Sequence, residues 1–486
     1  MAEEGVSQKG EEKWPIPKGE MGSLGVKDLP PIPLGRMYKL GPSIIVLGIA
    51  LGGGELIMWP RLTAQYGAGL MWLAILGVSL QWFINVELGR YTLATGESFF
   101  TGCSRAWKGF GWFWFASAII IYMWPGWAAT GATALDVLFG GTGAHWRWWA
   151  EVTLVLTLII LLGGPVVYNS VEKVTMFFMG ATAVILVITI ALVITPAGVK
   201  AMVKGIFFNA GGDWWLPPGI NLFALFGAVI YAGAGSLGNL SYTFAVQQKQ
   251  WGMASHIGRV TSPLTGKLEP VPTAGNVFDL SEKNMSLWKK WYPVMRNDVT
   301  IYFWLANIIG IVLLAHGALE VLHPQGLVPK GAEIAVTQAN ILASKAGEFG
   351  RVIFLAMSFF IMYSSQLVAL DLGSRMISEV VYTHTKMHEK YSLRGIYTIS
   401  LLALVVFAGF ALWIPTQPFI LFLMGAVLGG FTMAVYSPML LYMNLKFLPK
   451  EIRPSAFIKV GLGIASAVYI IFSIVVILNK VFGVGG

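Results

Sequence analysis

Four consecutive residues, Gly52, Gly53, Gly54 and Glu55, place a carboxylate beside a flexible backbone inside an apolar run, residues 41–60. Three glycines in a row weaken an α-helix, because each costs roughly 1 kcal/mol relative to alanine. Backbone groups freed within hydrocarbon need partners from protein or from a water-lined cavity. A carboxylate there is costly unless a cation or a polar group interacts with it. We therefore expect a helix break at this point and a charged binding site, with Glu55 as the ligand of a cation.

Both features also have a structural explanation. In that interpretation the glycines are positions where unbroken helices pack closely. Glu55 is then a structural carboxylate, paired with a neighbouring side chain or with backbone amides at a helix end. The sequence leaves both explanations open.

A second glycine-rich stretch, residues 231–239, interrupts another apolar run. It begins with Tyr231, Ala232 and Gly233, and further glycines follow with Ser and Asn. The two interrupted runs are the first and the sixth of the chain, so they occupy corresponding positions in two sets of five. This arrangement is typical of inverted-repeat transporters whose site lies near the bilayer midplane. We expect backbone carbonyls of both stretches to be polar ligands there.

The composition indicates an all-α polytopic membrane protein. The chain has 486 residues, of which 56% are hydrophobic and 12% charged, and its mean hydropathy is +0.68. Soluble globular proteins carry about 25% charged residues, and apolar runs of about 20 residues can cross a bilayer as helices. The single cysteine, Cys103, excludes an intramolecular disulfide and a multi-cysteine metal site.

Eleven apolar runs are predicted to span the membrane. They cover residues 41–60, 69–96, 110–139, 148–168, 172–195, 219–246, 298–323, 351–381, 395–414, 417–445 and 457–481. Pro125 and Gly126 are expected to bend the third run. The predicted units are a mostly flexible N-terminal tail (1–40), a first five-helix repeat (41–195), a connector outside the membrane (196–218), a second repeat (219–445) containing a partly ordered loop (247–297), and a segment (446–486) with the eleventh helix.

The distribution of Lys and Arg predicts the orientation of these spans. With the N-terminus inside, 24 of the 33 basic residues lie on cytoplasmic segments or adjoining span ends and eight lie outside, as the positive-inside rule requires. The predicted protein is therefore a multi-pass protein of the cell (inner) membrane, with its C-terminus outside. The net charge of +9 fits this topology and contact with anionic lipids, whereas no module for nucleic acid accompanies it. The oligomeric state is left open, and a monomer is compatible with the sequence.

The eighth predicted span carries Gln366, Asp371, Arg375 and Glu379. The last three recur every four residues and so share one helix face, which cannot face lipid. They form either a salt-bridge ladder or the lining of a vestibule or gate. Gln366 lies deeper in the membrane than Asp371 and is expected to offer its side-chain carbonyl to the midplane site. No nucleotide-binding loop or nucleophile elbow is present, so we expect no enzyme activity and no cofactor.

Beyond these features, the chain resembles the Nramp family of divalent-metal transporters across nearly all its spans. The matching residues are Gly41-Pro42, the passage from Tyr66-Gly67 through Leu70-Met71-Trp72 and Gln81 to Thr95-Gly96, Asp298-Val-Thr-Ile301, and Ser364-Ser365-Gln366 followed by Glu379. The resemblance implies a leucine-transporter-type fold of two inverted five-helix repeats plus an eleventh helix. It also implies broken first and sixth helices with a metal site between the breaks.

The signature motifs of that family differ in this chain. The Asp-Pro-Gly-Asn motif of the first helix aligns with residues 52–55, and the Met-Pro-His motif of the sixth aligns with residues 231–233. Acidic residues of the family's proton route, on the third helix, are replaced by Trp124 and Trp127. Relative to the family, the predicted site therefore lacks a thioether and an imidazole, and the proton route lacks its carriers.

A site built from one carboxylate and backbone carbonyls offers hard oxygen ligands, which suit Mg²⁺, Ca²⁺ or Mn²⁺. Mg²⁺ usually keeps several of its waters, and glycines leave room for a hydrated ion. We therefore predict a secondary transporter of Mg²⁺ and/or Mn²⁺ that works by alternating access without proton coupling.

Two alternatives remain. One is a transporter of an organic or amino-acid-like solute on the same fold, since helix N-termini can bind a carboxylate. Glu55 would then bind an ammonium group, and Tyr231 would pack against the body of the solute. The other is a family member that does not transport and acts as a sensor or an assembly component.

Overall fold

The computed structural model describes residues 14–17, 22–33, 41–207, 216–217, 219–330 and 334–482. Within these residues the chain forms a helical bundle with one two-stranded parallel sheet. The strands are β1 (Gly25–Val26) and β2 (Asn276–Val277). The α-helices are α1 (Ser43–Gly53), α2 (Trp59–Tyr66), α3 (Met71–Thr95), α4 (Phe99–Ala106), α5 (Gly109–Tyr122), α6 (Gly126–Leu138), α7 (Trp146–Gly163), α8 (Val167–Val193), α9 (Pro196–Ile206), α10 (Leu222–Ile230), α11 (Ser241–Gln248), α12 (Glu282–Asp298), α13 (Ala306–Gly317), α14 (Ile334–His384), α15 (Leu393–Leu412), α16 (Pro418–Lys446) and α17 (Ala456–Phe482).

Each predicted span falls on one or more of these helices. Eight helical runs in the described part are long and apolar enough to cross a membrane, and one of them, Ser43–Thr95, contains the first two predicted spans. The third and sixth spans are each divided into shorter helices. The division of the third span falls at Pro125, between α5 and α6, where a bend was predicted.

The first span stays helical through its glycines. Between α1 and α2 lies a π-helical turn, Gly54–Met58, which contains Glu55. Gly53 and Gly54 both have right-handed helical angles. The interruption expected here is thus a widened turn, in which i→i+5 hydrogen bonds replace the α-helical ones, and the backbone is not opened.

The sixth span is broken as predicted. Its first half, α10, ends at Ile230, and a 3-10 turn, Ser236–Leu240, leads into α11. The residues between are not helical, and Gly235 and Ser236 have positive φ values of 53° and 49°. This left-handed conformation is unfavourable for a non-glycine residue such as Ser236, so contacts around the break must hold it.

The second half contains two helices that are longer than expected. α12 begins at Glu282 and continues into the seventh span through a π-helical segment, Val299–Leu305. This helix therefore occupies part of the predicted 247–297 loop. α14 covers 51 residues and is kinked at Gly347. The predicted 196–218 connector likewise contains a helix, α9.

The described parts of the N-terminal tail are packed, although the sequence predicted a mostly flexible segment. We call residues 14–17 and 22–33 the tail strap. β1 pairs with β2 of the 247–297 loop, and the buried indole of Trp14 donates to the Phe278 carbonyl over 2.8 Å. The indole of Trp291 donates to the Pro30 carbonyl over 2.7 Å. The strand pairing and these two hydrogen bonds to backbone carbonyls hold the tail strap against the rest of the protein. Composition alone could not predict them.

Candidate functional site

The three glycines of the first span face two other helices and the break of the sixth span at very short range. A Cβ on Gly52 would overlap the hydroxyl of Ser365, and one on Gly53 would overlap the ring of Phe422. A Cβ on Gly54 would overlap the backbone carbonyl of Tyr231. At Gly54 the neighbouring atom belongs to the backbone, so only glycine fits there without a shift of the chain. The packing explanation of these residues therefore applies, and the same contacts bring the first span against the break of the sixth.

Glu55 follows directly after Gly54, where the first span contacts the break of the sixth. Its side chain is fully buried, and neither carboxylate oxygen has a hydrogen-bond partner among the described residues. An ionised carboxylate without a partner is expensive to bury. Glu55 is consequently the intramembrane group best suited to accept a cation or a proton.

The broken segment of the sixth span offers further oxygens. Among the residues that the structure describes, no hydrogen bond reaches the carbonyls of Tyr231, Ala232 and Gly233. All three residues are buried, so the site is closed to solvent in this conformation. The described chain holds no group of three or more His, Cys, Asp and Glu side chains that could bind a metal. A cation bound here would depend on Glu55, backbone carbonyls and retained water.

Gln81 of α3 supports the break and was not predicted as part of the site. Its amide donates to the Ile230 carbonyl over 2.9 Å, and its carbonyl accepts from the Gly235 amide over 2.8 Å. It also accepts from Asn239 over 3.1 Å. The amide of Asn85, one turn along α3, donates to Asn239 over 2.8 Å.

Tyr436 of α16 completes this polar network. Its hydroxyl accepts from Asn239 over 3.0 Å and donates to the carbonyl of Ser236 over 2.9 Å. These bonds satisfy backbone groups that the break leaves without helical partners. Gln81 and Asn85 are uncharged amides spaced i, i+4 on an apolar span, which is the sequence signal that a search for ionisable residues overlooked.

Three aromatic rings enclose the side of the site next to the glycines. The ring of Tyr231 lies 5.0 Å from that of Phe422 and 5.9 Å from that of Trp127, centroid to centroid. Trp127 and Phe422 are 6.1 Å apart. The hydroxyl of Tyr231 is buried without a partner among the described residues. Trp127, predicted as a replaced proton-route position, thus becomes part of the wall of the site.

Gln366 is hydrogen-bonded to the fourth predicted span in this conformation. Its side-chain carbonyl accepts from Thr153 over 3.1 Å and its amide donates to Thr157 over 3.2 Å, both on α7. It lines a small cavity together with Trp124 and Trp127. The two threonines thus satisfy both ends of the amide in this conformation, and a role of Gln366 as an ion ligand stays a prediction.

The neighbouring serines contact the first span instead. The hydroxyls of Ser364 and Ser365 each donate to the Gly48 carbonyl over 3.1 Å. These bonds fix α14 against α1 one turn before the glycines.

The charged face of α14 divides into two parts. Arg375 Nε lies 3.0 and 2.9 Å from the carboxylate oxygens of Asp371, which also accepts from the Tyr397 hydroxyl over 2.7 Å. Glu379 accepts instead from the hydroxyls of Ser98 and Thr101. The predicted ladder is therefore limited to the first pair.

Arg375 and Glu379 nevertheless line one cavity, next to the 247–297 loop. A vestibule or gate at these residues stays a prediction.

The fold is shared with transporters of known structure. The structure of a mutant manganese transporter from Eremococcus coleocola superimposes with a TM-score of 0.64 at 12% identity, covering 96% of this chain and 93% of that chain. MhsT in complex with L-phenylalanine gives 0.52 at 13% identity, with coverage of 91% and 98%. Mhp1, a nucleobase-cation-symport-1 family transporter, gives 0.52 at 11% identity, with coverage of 91% and 94%. The bundle and its broken sixth helix thus have the leucine-transporter fold.

The particular family follows from the sequence match. Residues 50–479 match the family model Nramp, natural resistance-associated macrophage protein-like, so the chain belongs to the Nramp family. The members of this family are metal-ion transporters and not enzymes. No curated protein sequence matches the chain.

Proposed function

We propose that this Nramp protein moves a hard divalent cation, Mg²⁺ and/or Mn²⁺, by alternating access and without proton coupling. The observation that carries the proposal is the buried carboxylate of Glu55, which has no hydrogen-bond partner in the described part of the chain and lies one residue from the contact between Gly54 and the Tyr231 carbonyl. A divalent cation at this point would compensate the buried charge.

The preference for a hard ion rests on the available ligands. Carboxylate and carbonyl oxygens and water suit Mg²⁺ and Mn²⁺, whereas thioether and imidazole favour softer metals. Two imidazoles near the outer end of the seventh span have other partners. His316 lies 3.2 Å from Glu320, and His323 Nδ1 lies 2.9 Å from the Ala64 carbonyl. The Eremococcus coleocola protein of the same fold is a manganese transporter, which supports a divalent substrate.

The proposed absence of proton coupling rests on the scarcity of carboxylates in the third span. By the sequence resemblance, Trp124 and Trp127 replace acidic residues of the family, and the single carboxylate of α5 and α6 is Asp136. Asp136 accepts from the Gly143 amide over 2.7 Å and from the Trp149 indole over 3.1 Å, so it has structural partners. No series of carboxylates therefore leads away from Glu55 along this helix.

An organic solute is the second candidate, because aromatic rings adjoin the glycines. Trp127, Tyr231 and Phe422 could pack against an apolar solute, with Glu55 binding its ammonium group. MhsT, which has the same fold, was solved with L-phenylalanine. The two candidates differ in ligand-dependent thermal stabilisation: divalent ions stabilise the protein in the first case, and amino acids do so in the second.

Uptake by reconstituted protein tests the role of Glu55. We expect Glu55→Gln to abolish Mg²⁺ and Mn²⁺ uptake, because the amide is nearly isosteric but carries no charge. Its thermal stability should equal or exceed that of the wild type, since an uncompensated carboxylate is no longer buried. The matched control is Glu348→Gln, whose carboxylate is 77% exposed and lies 3.3 Å from Arg351. Wild-type uptake by Glu55→Gln would refute the proposed ligand.

A further inference from the structure

A cavity of about 530 Å³ lies between α12, the start of α17 and the middle of α3. Its walls combine aromatic and basic side chains. The aromatic ones are Trp82, Trp288, Tyr292 and Phe457, and the charged ones are Arg90, Lys289, Arg296, Glu451 and Arg453. Four cations and one carboxylate thus line a space that the transport site does not use.

One of these cations is neutralised within the protein. Arg90 Nε lies 2.8 Å from Glu87, and its other nitrogens donate to the Ile452 carbonyl over 2.9 Å and to the Tyr292 hydroxyl over 2.7 Å. The guanidinium also lies 4.2 Å from the centre of the Tyr292 ring. Arg90 therefore connects α3, α12 and the segment before α17, and it fixes the shape of the cavity.

The other three cations have no ion pair among the described residues. Lys289 and Arg296 are exposed on α12. Arg453 is half-buried, and its Nε donates to the Leu448 carbonyl over 2.8 Å. With Glu451 as the one carboxylate in the wall, the cavity has an excess of positive charge and attracts an anion.

The surface next to the cavity is apolar and exposed. On α17, Phe457, Val460 and Ile464 are 67%, 62% and 51% exposed. On the seventh span, Ile301 and Leu305 are 51% and 44% exposed. Exposed apolar side chains of this kind face lipid in a membrane protein. The cavity therefore lies where a basic end of the bundle meets its lipid-facing surface.

Aromatic side chains lie at the same level. The Trp82 indole donates to Thr300 over 2.9 Å, and the rings of Trp82 and Phe83 lie 6.5 and 5.3 Å from that of Phe457. Trp and Tyr are enriched at the membrane–water interface. Basic pockets between transmembrane helices on the cytoplasmic side bind the headgroups of anionic lipids.

We propose that this cavity binds the headgroup of an anionic phospholipid. Lys289, Arg296 and Arg453 bind the phosphate, the aromatic walls pack against the glycerol region, and the acyl chains lie along Phe457 and Ile301. Because the walls come from α3, α12 and α17, a bound lipid stabilises the packing of the eleventh span on the transporter core.

Lipid titration of the full-length protein in a neutral detergent tests this site. We expect phosphatidylglycerol to raise the thermal unfolding midpoint by a few degrees and to remain bound in native mass spectra, whereas phosphatidylcholine does neither. Lys289→Gln/Arg296→Gln should weaken phosphatidylglycerol binding on the order of tenfold. Both residues are exposed, so the double variant should fold.

The control variant, Lys386→Gln/Lys390→Gln, removes two exposed cations that do not line the cavity. It should bind phosphatidylglycerol as the wild type does. Equal stabilisation by phosphatidylcholine, or unchanged binding by Lys289→Gln/Arg296→Gln, would overturn the proposal. Equal stabilisation by inorganic phosphate would also overturn it, because it would show a site for small anions without recognition of lipid.

Discussion

Replacement of Gly54 with alanine tests the contact between the first and sixth spans. The new Cβ would overlap the Tyr231 carbonyl oxygen, whereas an ordinary contact begins at 3.4 Å. Restoring such a contact requires the two spans to separate by about 2 Å. Gly54 has φ −69° and ψ −54°, which any residue adopts, so the effect comes from this contact and not from backbone strain.

Overpacking of this kind typically costs about 1–3 kcal/mol, and each 1.4 kcal/mol changes a population about tenfold. The conformation in which the spans touch should therefore be depleted by about 5- to 140-fold. We expect Gly54→Ala to lower both the thermal unfolding midpoint and divalent-ion uptake, measured by fluorescence-detected size exclusion after heating and in proteoliposomes.

The control for this prediction is Gly180→Ala in α8. Gly180 is exposed, and no heavy atom lies within 4 Å of the position that a Cβ would occupy there. Alanine is favoured over glycine in a helix by about 1 kcal/mol, so stability should be unchanged or higher and uptake should be normal. Wild-type stability and uptake of Gly54→Ala would refute the inferred close contact.

Three further predictions concern the surroundings of the site. Gln81→Leu should lower stability by about 2 kcal/mol in thermal unfolding, since two buried backbone groups at the break lose their partner. Asp371→Asn should cost about 3–5 kcal/mol in the same assay, because it leaves Arg375 buried without its counter-charge. The hydrogen bond from Lys283 holds the pKa of Asp28 below its ordinary value. The ion pair between the two residues therefore stabilises the tail strap at pH values above the ordinary pKa of Asp28, and this stabilisation is lost as the pH falls through the lowered pKa. A nitroxide on a cysteine introduced into the strap should become more mobile over that acidic range.

Each of these predictions has its own control. For Gln81→Leu, the variant Gln81→Glu retains acceptors for the Gly235 amide and should be less damaging if the hydrogen bonds matter, so equal loss would contradict the account. For Asp371→Asn, stability recovered by also changing Arg375 to Met would support the counter-charge argument, and no recovery would contradict it. For the strap, Asp28→Asn should abolish the change of label mobility with pH, and a persistent change would exclude Asp28 as its origin.

The apolar helices and the break of the sixth predicted span were predictable from the sequence because both depend on local composition. Long apolar runs determine the spans, and the glycines after Tyr231 weaken a helix wherever they occur. The π-helical turn at Gly54–Met58 was not predictable, because it depends on how tightly Ser365, Phe422 and Tyr231 pack around the glycines. The helix propensity of the glycines indicates that the helix is weak at this point. It does not indicate how neighbouring helices stabilise the helix.

The site was predictable only in part. Glu55 stood out as a carboxylate at a helix interruption, and its burial agrees with that expectation. Gln366 was expected at the ion, yet Thr153 and Thr157 bind its amide, and threonines on a separate span give no sequence signal of that pairing. The role of Gln81 depends in the same way on the distant backbone of Ile230 and Gly235. Contacts between remote spans are fixed by the tertiary structure.

Simultaneous measurement of divalent-ion flux and internal pH in proteoliposomes tests the central claim most directly. With Mg²⁺ or Mn²⁺ outside, we predict uptake down the ion gradient without acidification of the interior, and no uptake by Glu55→Gln. Uptake accompanied by acidification would contradict uncoupled transport and would make Glu55 itself the first residue to examine as a proton carrier. No flux of any divalent ion from folded wild-type protein would contradict the proposed substrate.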